Sequence, residues 1–348
     1  MKKVIWMECP GRMKNKIAVI SILLIIFLSL FLTLNQTQKK EKLYTEKVFL
    51  MNTTVEIKVI SKKDANETIS ETVNIMEKWD QKLNRHNEKS IMFKINNDGE
   101  SGVKVSSEII NLFKELKKYS KMTDGNFDPT IAPLIDVWGF GEGNNKIPAE
   151  NDIKRALQLV NYNDIKIDES KSKIYLPVKS KIDLGAAAKG FIIDKAYEYL
   201  KDNNMNNFFI NAGGNIRVSG MNLIENRLWT VGIRKPRDND QVYRDYILAI
   251  SQGAVATSGD YERYFIKDNK RYSHLLDPHT GYPAQELQSV TVYTSKAMSA
   301  DILSTALFIM GWDKAQEKIK NSNDIAGFLI KDGEIWYSKE FEDKFTKD

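Results

Sequence analysis

The sequence predicts an α+β domain that follows an apolar N-terminal segment. Strand-like and helix-like stretches are mixed along residues 48–348, without the regular alternation that a doubly wound parallel sheet requires. About 300 residues follow the N-terminal segment, which is enough for one large core. No internal repeat, Pro-rich linker or low-complexity tract divides them. We therefore expect a single large domain of mixed sheets and helices.

The N-terminal segment predicts an anchor or an export signal. Residues 17–34 contain no charge, and as a helix these 18 residues would span ~27 Å, close to the thickness of a bilayer core. Residues 1–16 are basic, so the positive-inside rule leaves them in the cytoplasm and exports the rest. A buried core helix is the alternative.

We favour a single-pass anchor, and a cleaved signal remains the alternative interpretation. No small-residue cleavage pattern follows Leu34, and Cys9 precedes the apolar run, where it cannot be the lipid-modified residue of a cleaved signal. Residues 35–47 then form a polar linker. We expect a protein of the cell membrane whose body, residues 48–348, lies on the extracytoplasmic face.

Periodicity predicts the elements of the body. Apolar residues at helical spacing indicate helices over 69–83, 109–116, 153–160, 187–200 and 301–310. Strand-like runs lie at 48–60, 207–218, 229–234, 246–256 and 289–294. Asp332-Gly333 between two strand patterns predicts a two-residue hairpin turn.

Composition and charge exclude several classes of protein. The chain is 42% hydrophobic and 28% charged, which excludes a disordered tail protein. Its single cysteine excludes internal disulfides, and three histidines in all argue against a Cys/His zinc site. Of the net charge of +5, residues 1–16 carry +4, so the body is nearly neutral and does not predict nucleic-acid binding.

Three segments combine turn-forming and small residues. Residues 123–130 read TDGNFDPT and are followed by WGFG at 138–141. In 182–190, IDLGAAAKG, small residues lead from a strand-like run into a helix, where backbone could approach a phosphate closely. Residues 211–215 read NAGGN, which is not a dinucleotide-binding GxGxxG pattern. Each segment could equally be a simple connection, and Asp183 could merely cap a helix.

A fourth segment holds two of the three histidines. It runs TSGDY at 257–261 and then SHLLDPHTGYP at 273–283. Ser273 beside His274 would permit a Ser-His hydrolase, but no GxSxG nucleophile elbow is present. A polar loop closed by a capped turn is the other interpretation.

The fifth segment, SADILSTAL at 299–307, places two oxygen-bearing side chains on an otherwise apolar helix. Asp301 and Thr305 are four residues apart and so share one helix face. A carboxylate and a hydroxyl suit Mg²⁺, which takes few protein ligands and keeps positions for water and phosphate. Alternatively, Thr305 bonds the carbonyl one turn back and Asp301 has a structural partner.

Taken together, eight ordered motifs resemble the ApbE-like family of FAD:protein FMN transferases over roughly residues 48–337. They read TDGNFDPT, WGFG, IDLGAAAKGFIIDKA, NAGGNIRVSG, VGIRKP, TSGDYERYF, SHLLDPHTGYPA and SVTVYTSKAMSADILSTALFIMG. The resemblance implies one large ApbE-like, T-fold-like domain. It also implies an enzyme that binds FAD and Mg²⁺ and attaches FMN through a phosphoester to a Thr or Ser of an exported acceptor protein, with release of AMP. The implied acceptor is a redox-pump subunit or an extracytoplasmic electron-transfer protein.

The resemblance also implies roles for individual residues. Asp301, Thr305 and the backbone carbonyl of Ala186 match the metal ligands, and His274 matches a histidine that is the candidate proton acceptor. The positions that match the surroundings of the flavin nucleotide are Met51, Gly125, Asn126, Phe127, Asp183, Lys189 and His274. One departure concerns LNRHNEKSIMFKIN, where Ile91 follows Ser90 although the family motif is usually written with a carboxylate there.

Two other functions remain compatible with these motifs. An FAD diphosphatase would use water in place of the acceptor hydroxyl at the same site. A non-catalytic, membrane-anchored flavin-binding protein would not need the Asp301/Thr305 pair. No segment of the chain resembles the acceptor pattern Asp-Gly-Ala-Thr, so the acceptor is expected to be a different polypeptide.

Overall fold

The computed structural model of the chain describes residues 20–26, 40–140, 146–238 and 241–346. It divides into two units, residues 1–41 and 42–348. In the first, residues 20–26 are helical and exposed (α1), and most of the predicted anchor at 17–34 lies outside the described residues. Within the described ranges, no helix is both long enough and apolar enough to cross a membrane.

The second unit contains fifteen named strands and nine named helices within the described residues. The strands are β1 (Lys42–Leu50), β2 (Thr53–Ser61), β3 (Val103–Lys104), β4 (Lys166–Asp168), β5 (Lys173–Tyr175), β6 (Asn207–Ala212), β7 (Asn215–Ser219), β8 (Trp229–Arg234), β9 (Val242–Ile250), β10 (Gln252–Gly259), β11 (Tyr264–Lys267), β12 (Lys270–Ser273), β13 (Ser289–Thr294), β14 (Ala326–Lys331) and β15 (Glu334–Tyr337). The helices are α2 (Asn66–Leu83), α3 (Ile91–Asp98), α4 (Ser107–Met122), α5 (Ala132–Trp138), α6 (Glu150–Leu157), α7 (Ala188–Asp202), α8 (Ala297–Met310), α9 (Trp312–Lys320) and α10 (Lys339–Glu342).

An eight-stranded sheet organises this unit. Its order is β1-β2-β6-β7-β10-β13-β14-β15, and each neighbouring pair is antiparallel. Smaller sheets pair β8 with β9 and β11 with β12, and a three-stranded sheet pairs β5 with both β3 and β4. The α+β prediction is confirmed, because antiparallel strands and helices share one fold instead of alternating in βαβ units.

Side chains that alternate along the strands build a core on each face of the sheet. Val59 and Phe208 pack with residues of α2, α4, α7 and α8, whereas their neighbours Ile60 and Phe209 pack with the β8–β9 ribbon and α10. Helix α8 is almost entirely buried, because it lies against β10 and β13 on one side and against α7 and α9 on others. This explains why its sequence is apolar all round instead of striped.

Several element boundaries differ from the sequence prediction. The predicted linker at 35–47 overlaps β1, an edge strand whose mostly exposed residues resemble a polar linker. The predicted strand at 246–256 is the β9–β10 pair, and α8 begins at Ala297, four residues before the predicted start. The hairpin at Asp332-Gly333 is confirmed, with φ of 47° and 86° in the turn.

Candidate functional site

Helices α7 and α8 approach each other closely at Gly190. A Cβ atom built there would lie 2.4 Å from the carbonyl oxygen of Ala297 and 2.5 Å from the Cα of Met298. This contact lets the Gly190 N–H reach across the helix pair and donate to Oδ2 of Asp301 at 3.0 Å. The small residues before α7 therefore bring its first turn against the carboxylate on α8.

The same hydrogen bond leaves a carbonyl group available at the start of α7. In a regular turn, the N–H of Gly190 would donate to the carbonyl of Ala186, four residues earlier. Here it donates to Asp301, and within the described residues the Ala186 carbonyl accepts no hydrogen bond. The backbone carbonyl of half-buried Ala186 and the buried carboxylate of Asp301 are both suitable ligands for a hard cation.

Asp301 is 5% exposed and forms no ion pair with any described residue. Burial raises the pKa of this carboxyl group, while the positive charge of Lys189, the amide of Asn215 and the N–H of Gly190 act in the opposite direction. A buried carboxylate without an ion pair favours a bound cation or a proton.

Thr305 lies one turn after Asp301 on α8. Its hydroxyl is 3.0 Å from the hydroxyl of Ser258, near the end of β10. Within the described residues, no three His, Cys, Asp or Glu side chains form a metal-binding group. One carboxylate, one hydroxyl and one carbonyl nevertheless fit Mg²⁺, which completes its shell with water and phosphate oxygens. They do not fit Zn²⁺, which prefers nitrogen and sulfur ligands.

His274 directly follows β12, and its environment determines which ring nitrogen carries the proton. Its Nδ1 lies 3.2 Å from the backbone carbonyl of Arg263, which can only accept, so Nδ1 is the donor and Nε2 keeps its lone pair. Burial, with the nearby charges of Arg263 and Lys189, lowers the pKa of His274 from 6.5 to about 4. The imidazole is therefore neutral at physiological pH.

Lys189 connects the metal-ligand candidates with the histidine. Its positive charge acts on the pKa of both Asp301 and His274, so its side chain lies within electrostatic reach of each. The structure thus places Lys189 near both Asp301 and His274, three residues whose roles the resemblance implied from separate segments of the sequence.

Asp183 lies beside this cluster and is already engaged. Its Oδ1 accepts a hydrogen bond from the N–H of Gly185 at 2.7 Å, and its Oδ2 forms an ion pair with Nε of Arg85 at 2.9 Å. Arg85 also binds Asp136 at 2.7 Å. The carboxylate therefore shapes the loop that carries Ala186.

These contacts give a role to the segment 83–96, which the departure from the family motif left in doubt. Besides Arg85, Ser90 caps α3 by accepting from the N–H of Phe93 at 2.9 Å. The Asn96 amide bonds both the N–H and the carbonyl of Ile182, at 2.7 and 2.9 Å. The segment therefore fixes the position of the strand-like run that ends at Asp183. These contacts do not require a carboxylate at position 91.

The other predicted flavin contacts have no hydrogen bond to the cluster within the described residues. Met51 occupies the β1–β2 turn with φ of 53°, and its N–H donates to Asp80. Gly125 has φ of 77°, Asn126 bonds the carbonyl of Thr123, and the side chain of Phe127 is buried in the core. No hydrogen bond or ion pair between described residues joins these four to Asp301, Thr305 or Ala186. Their contact with flavin stays a prediction.

One important residue was not singled out from the sequence. Asp194 on α7 is buried and accepts hydrogen bonds from the N–H groups of Ala297 and Met298, at 2.8 and 3.1 Å, so that it caps α8. It also forms an ion pair with Arg217 of β7. Burial raises the pKa of Asp194, and the Arg217 guanidinium is the main opposing influence. An Asp in the middle of a predicted helix carries no sequence signal for this long-range cap.

Gly190→Ala is expected to lower the free energy of unfolding by about 1–3 kcal/mol, because the added methyl group meets backbone atoms of α8 that cannot rotate away. Urea unfolding of the two proteins would measure the change. Gly232→Ala is the control, since the nearest atoms to its Cβ would belong to the side chain of Val242, at 3.2 Å or more, and not to the backbone. Equal stability of the Gly190 variant and the wild type would contradict a tight α7–α8 contact.

Comparisons with known proteins agree with this geometry. The profile of the ApbE family matches residues 51–329. The chain is 31% identical to the FAD:protein FMN transferase of Haemophilus influenzae over 318 residues, which cover 88% of this chain and 91% of the relative. It is 32% identical to an FAD:protein FMN transferase of Klebsiella pneumoniae, with coverage of 84% and 91%.

Solved structures show the same fold. The crystal structure of the ApbE protein of Thermotoga maritima superimposes with a TM-score of 0.82 at 34% identity, over 88% of this chain and 100% of the other. The flavin transferase ApbE of Vibrio cholerae superimposes with a TM-score of 0.79 at 26% identity, with the same coverage. The similarity therefore spans nearly all of the second unit.

Proposed function

The chain belongs to the ApbE family, and from this membership we propose that it is a Mg²⁺-dependent FAD:protein FMN transferase. It would transfer the FMN part of FAD to a Thr or Ser hydroxyl of an exported acceptor protein and release AMP. The names of the curated relatives support the transfer of FMN to protein. Two observations carry the metal dependence: the buried Asp301 forms no ion pair with any described residue, and its hydrogen bond from Gly190 leaves the carbonyl of Ala186 without a hydrogen-bond donor among the described residues.

Asp301, Thr305 and the Ala186 carbonyl would hold the Mg²⁺. When bound there, the cation supplies charge neutralisation for pyrophosphate oxygens during phosphoryl transfer. Lys189, whose charge acts at the same place, would add a second positive charge near the phosphates. Because the protein would supply only three donor atoms, several water or phosphate oxygens could complete the shell.

His274 is the proposed proton acceptor. The acceptor hydroxyl oxygen would attack the FMN-side phosphorus, forming a phosphoester bond as the bond from that phosphorus to the bridging oxygen breaks and AMP leaves. The hydroxyl proton would pass to Nε2 of His274, which is free to accept because Nδ1 donates to the Arg263 carbonyl. The low pKa keeps the imidazole unprotonated before each turnover.

The proposed localisation of the protein is the extracytoplasmic face of the cell membrane. The apolar segment 17–34 behind a basic tip supports a membrane anchor of this orientation. The acceptor would be a separate exported polypeptide, such as a redox-pump subunit or an electron-transfer protein, since this chain contains no segment like the acceptor pattern.

The function can be tested with the full-length chain in detergent, FAD, Mg²⁺ and an exported candidate acceptor that carries a Thr motif. We expect the intact mass of the acceptor to rise by one FMN minus water, with release of one AMP for each FMN attached. FMN and AMP released in equal amounts with an unmodified acceptor, for every acceptor tried, would instead establish a diphosphatase. Bound FAD that is never cleaved would indicate a flavin-binding protein.

A further inference from the structure

A chain of three hydroxyl groups connects β10 to the face of α8 that bears Asp301. The hydroxyl of Ser304 donates to the backbone carbonyl of Asp301 at 2.9 Å. The hydroxyl of Ser258 lies 2.9 Å from that of Ser304 and 3.0 Å from that of Thr305. Ser304 is 1% exposed and Ser258 is 9% exposed, so both are shielded from bulk water.

The direction of each hydrogen bond follows from counting protons. A carbonyl oxygen can only accept, so the single proton of Ser304 is committed to Asp301. The Ser258–Ser304 contact must then use the proton of Ser258. Since Ser258 has no second proton, the Ser258–Thr305 contact must use the proton of Thr305.

This order determines how Thr305 faces the candidate metal site. A threonine within a helix commonly donates its proton to the carbonyl one turn earlier, which here is that of Asp301. Ser304 already donates to that carbonyl. With its proton directed to Ser258, the Thr305 oxygen offers lone pairs, not a hydrogen, to any other group that approaches it.

We propose that Ser258 and Ser304 are positioning residues that orient the Thr305 hydroxyl as a ligand for the metal. The inference rests on the proposed Mg²⁺ site and extends it to residues that would not touch the metal. Partners of this kind commonly change metal affinity by ~10–100-fold when they are removed. A role limited to packing β10 against α8 would change stability but not the affinity for the cation.

The test is the Mg²⁺ affinity of the full-length chain, measured by calorimetric titration in detergent without FAD, so that activity is not the readout. Ser258→Ala is expected to weaken Mg²⁺ binding about 10-fold. Thr257→Val is the matched control, because the neighbouring Thr257 hydroxyl bonds Thr291 of β13, on a different element from α8. It should bind Mg²⁺ as the wild type does.

A second comparison tests whether the hydroxyl groups orient Thr305 as one connected chain. If the hydroxyls act as one chain, Ser258→Ala combined with Ser304→Ala should weaken Mg²⁺ binding no more than Ser258→Ala alone. Wild-type affinity in the Ser258→Ala variant, or an equal loss in the Thr257→Val variant, would overturn the inference while leaving the proposed function intact. A wild-type chain that binds no Mg²⁺ in the titration, and transfers FMN without it, would overturn the metal site itself.

Discussion

Asp301→Asn is expected to reduce FMN transfer by about 10³-fold or more at saturating FAD. The substitution removes the only charged group among the proposed metal ligands, and a metal-bound phosphoryl transfer site loses several kcal/mol of transition-state stabilisation without its cation. The measurement is the initial rate of acceptor modification, followed by mass spectrometry, over a range of Mg²⁺ concentrations.

The fold should survive this change. The carbonyl oxygen of the introduced amide could still accept the hydrogen bond from Gly190, and the neutral amide avoids the cost of burying a charge, which raises the pKa of Asp301. We therefore expect the metal-free melting temperature to be equal to that of the wild type or higher. Asp202→Asn, at the exposed far end of α7, is the control and should retain full activity. Full Mg²⁺-dependent activity of the Asp301 variant would remove the metal assignment.

His274→Gln is expected to lower the transfer rate by ~10²–10³-fold, the range that general base catalysis contributes. Glutamine keeps the size and polarity of the side chain but cannot take up a proton near neutral pH. FAD affinity should change much less than the rate. His279→Gln provides a control within the same loop, because His279 is exposed. Equal losses in rate and in FAD affinity would make His274 a binding residue.

The pH dependence of transfer gives an independent check on His274. Burial and the charges of Arg263 and Lys189 lower its pKa to about 4, so the base is unprotonated above that value and is lost as the pH falls through it. The acid limb of kcat/KM should therefore have its midpoint near 4, the pKa of His274. At neutral pH the base should remain available. A midpoint near the ordinary value of 6.5 that disappears in the Gln variant would show that the site does not depress this pKa.

The same shift affects stability. The unfolded chain binds a proton at this histidine below its usual pKa of 6.5, whereas the folded chain does so only near 4. This contribution therefore lowers the free energy of unfolding as the pH falls from 6.5 towards 4. The His274→Gln variant should lack that part of the acid sensitivity when urea unfolding is followed across this range.

Features that depend only on neighbours along the chain were predictable from the sequence. The apolar pattern of α8 at 301–310, the hairpin at Asp332-Gly333 and the one-turn spacing of Asp301 and Thr305 are local, because helices and hairpins repeat over a few residues. The ordered motifs were also sufficient to identify the family, and the match of the family profile to residues 51–329 confirms that assignment.

Contacts between side chains far apart in the sequence became visible only in the folded chain. Asp194 caps a helix that begins about a hundred residues later, Arg85 pairs with Asp183, and Ser258 reaches Thr305. No local pattern encodes such pairs, because each depends on how two elements are brought together by the sheet and its core. The pKa of His274 belongs to the same class, since desolvation by the surrounding fold, not the residue type, lowers it to about 4.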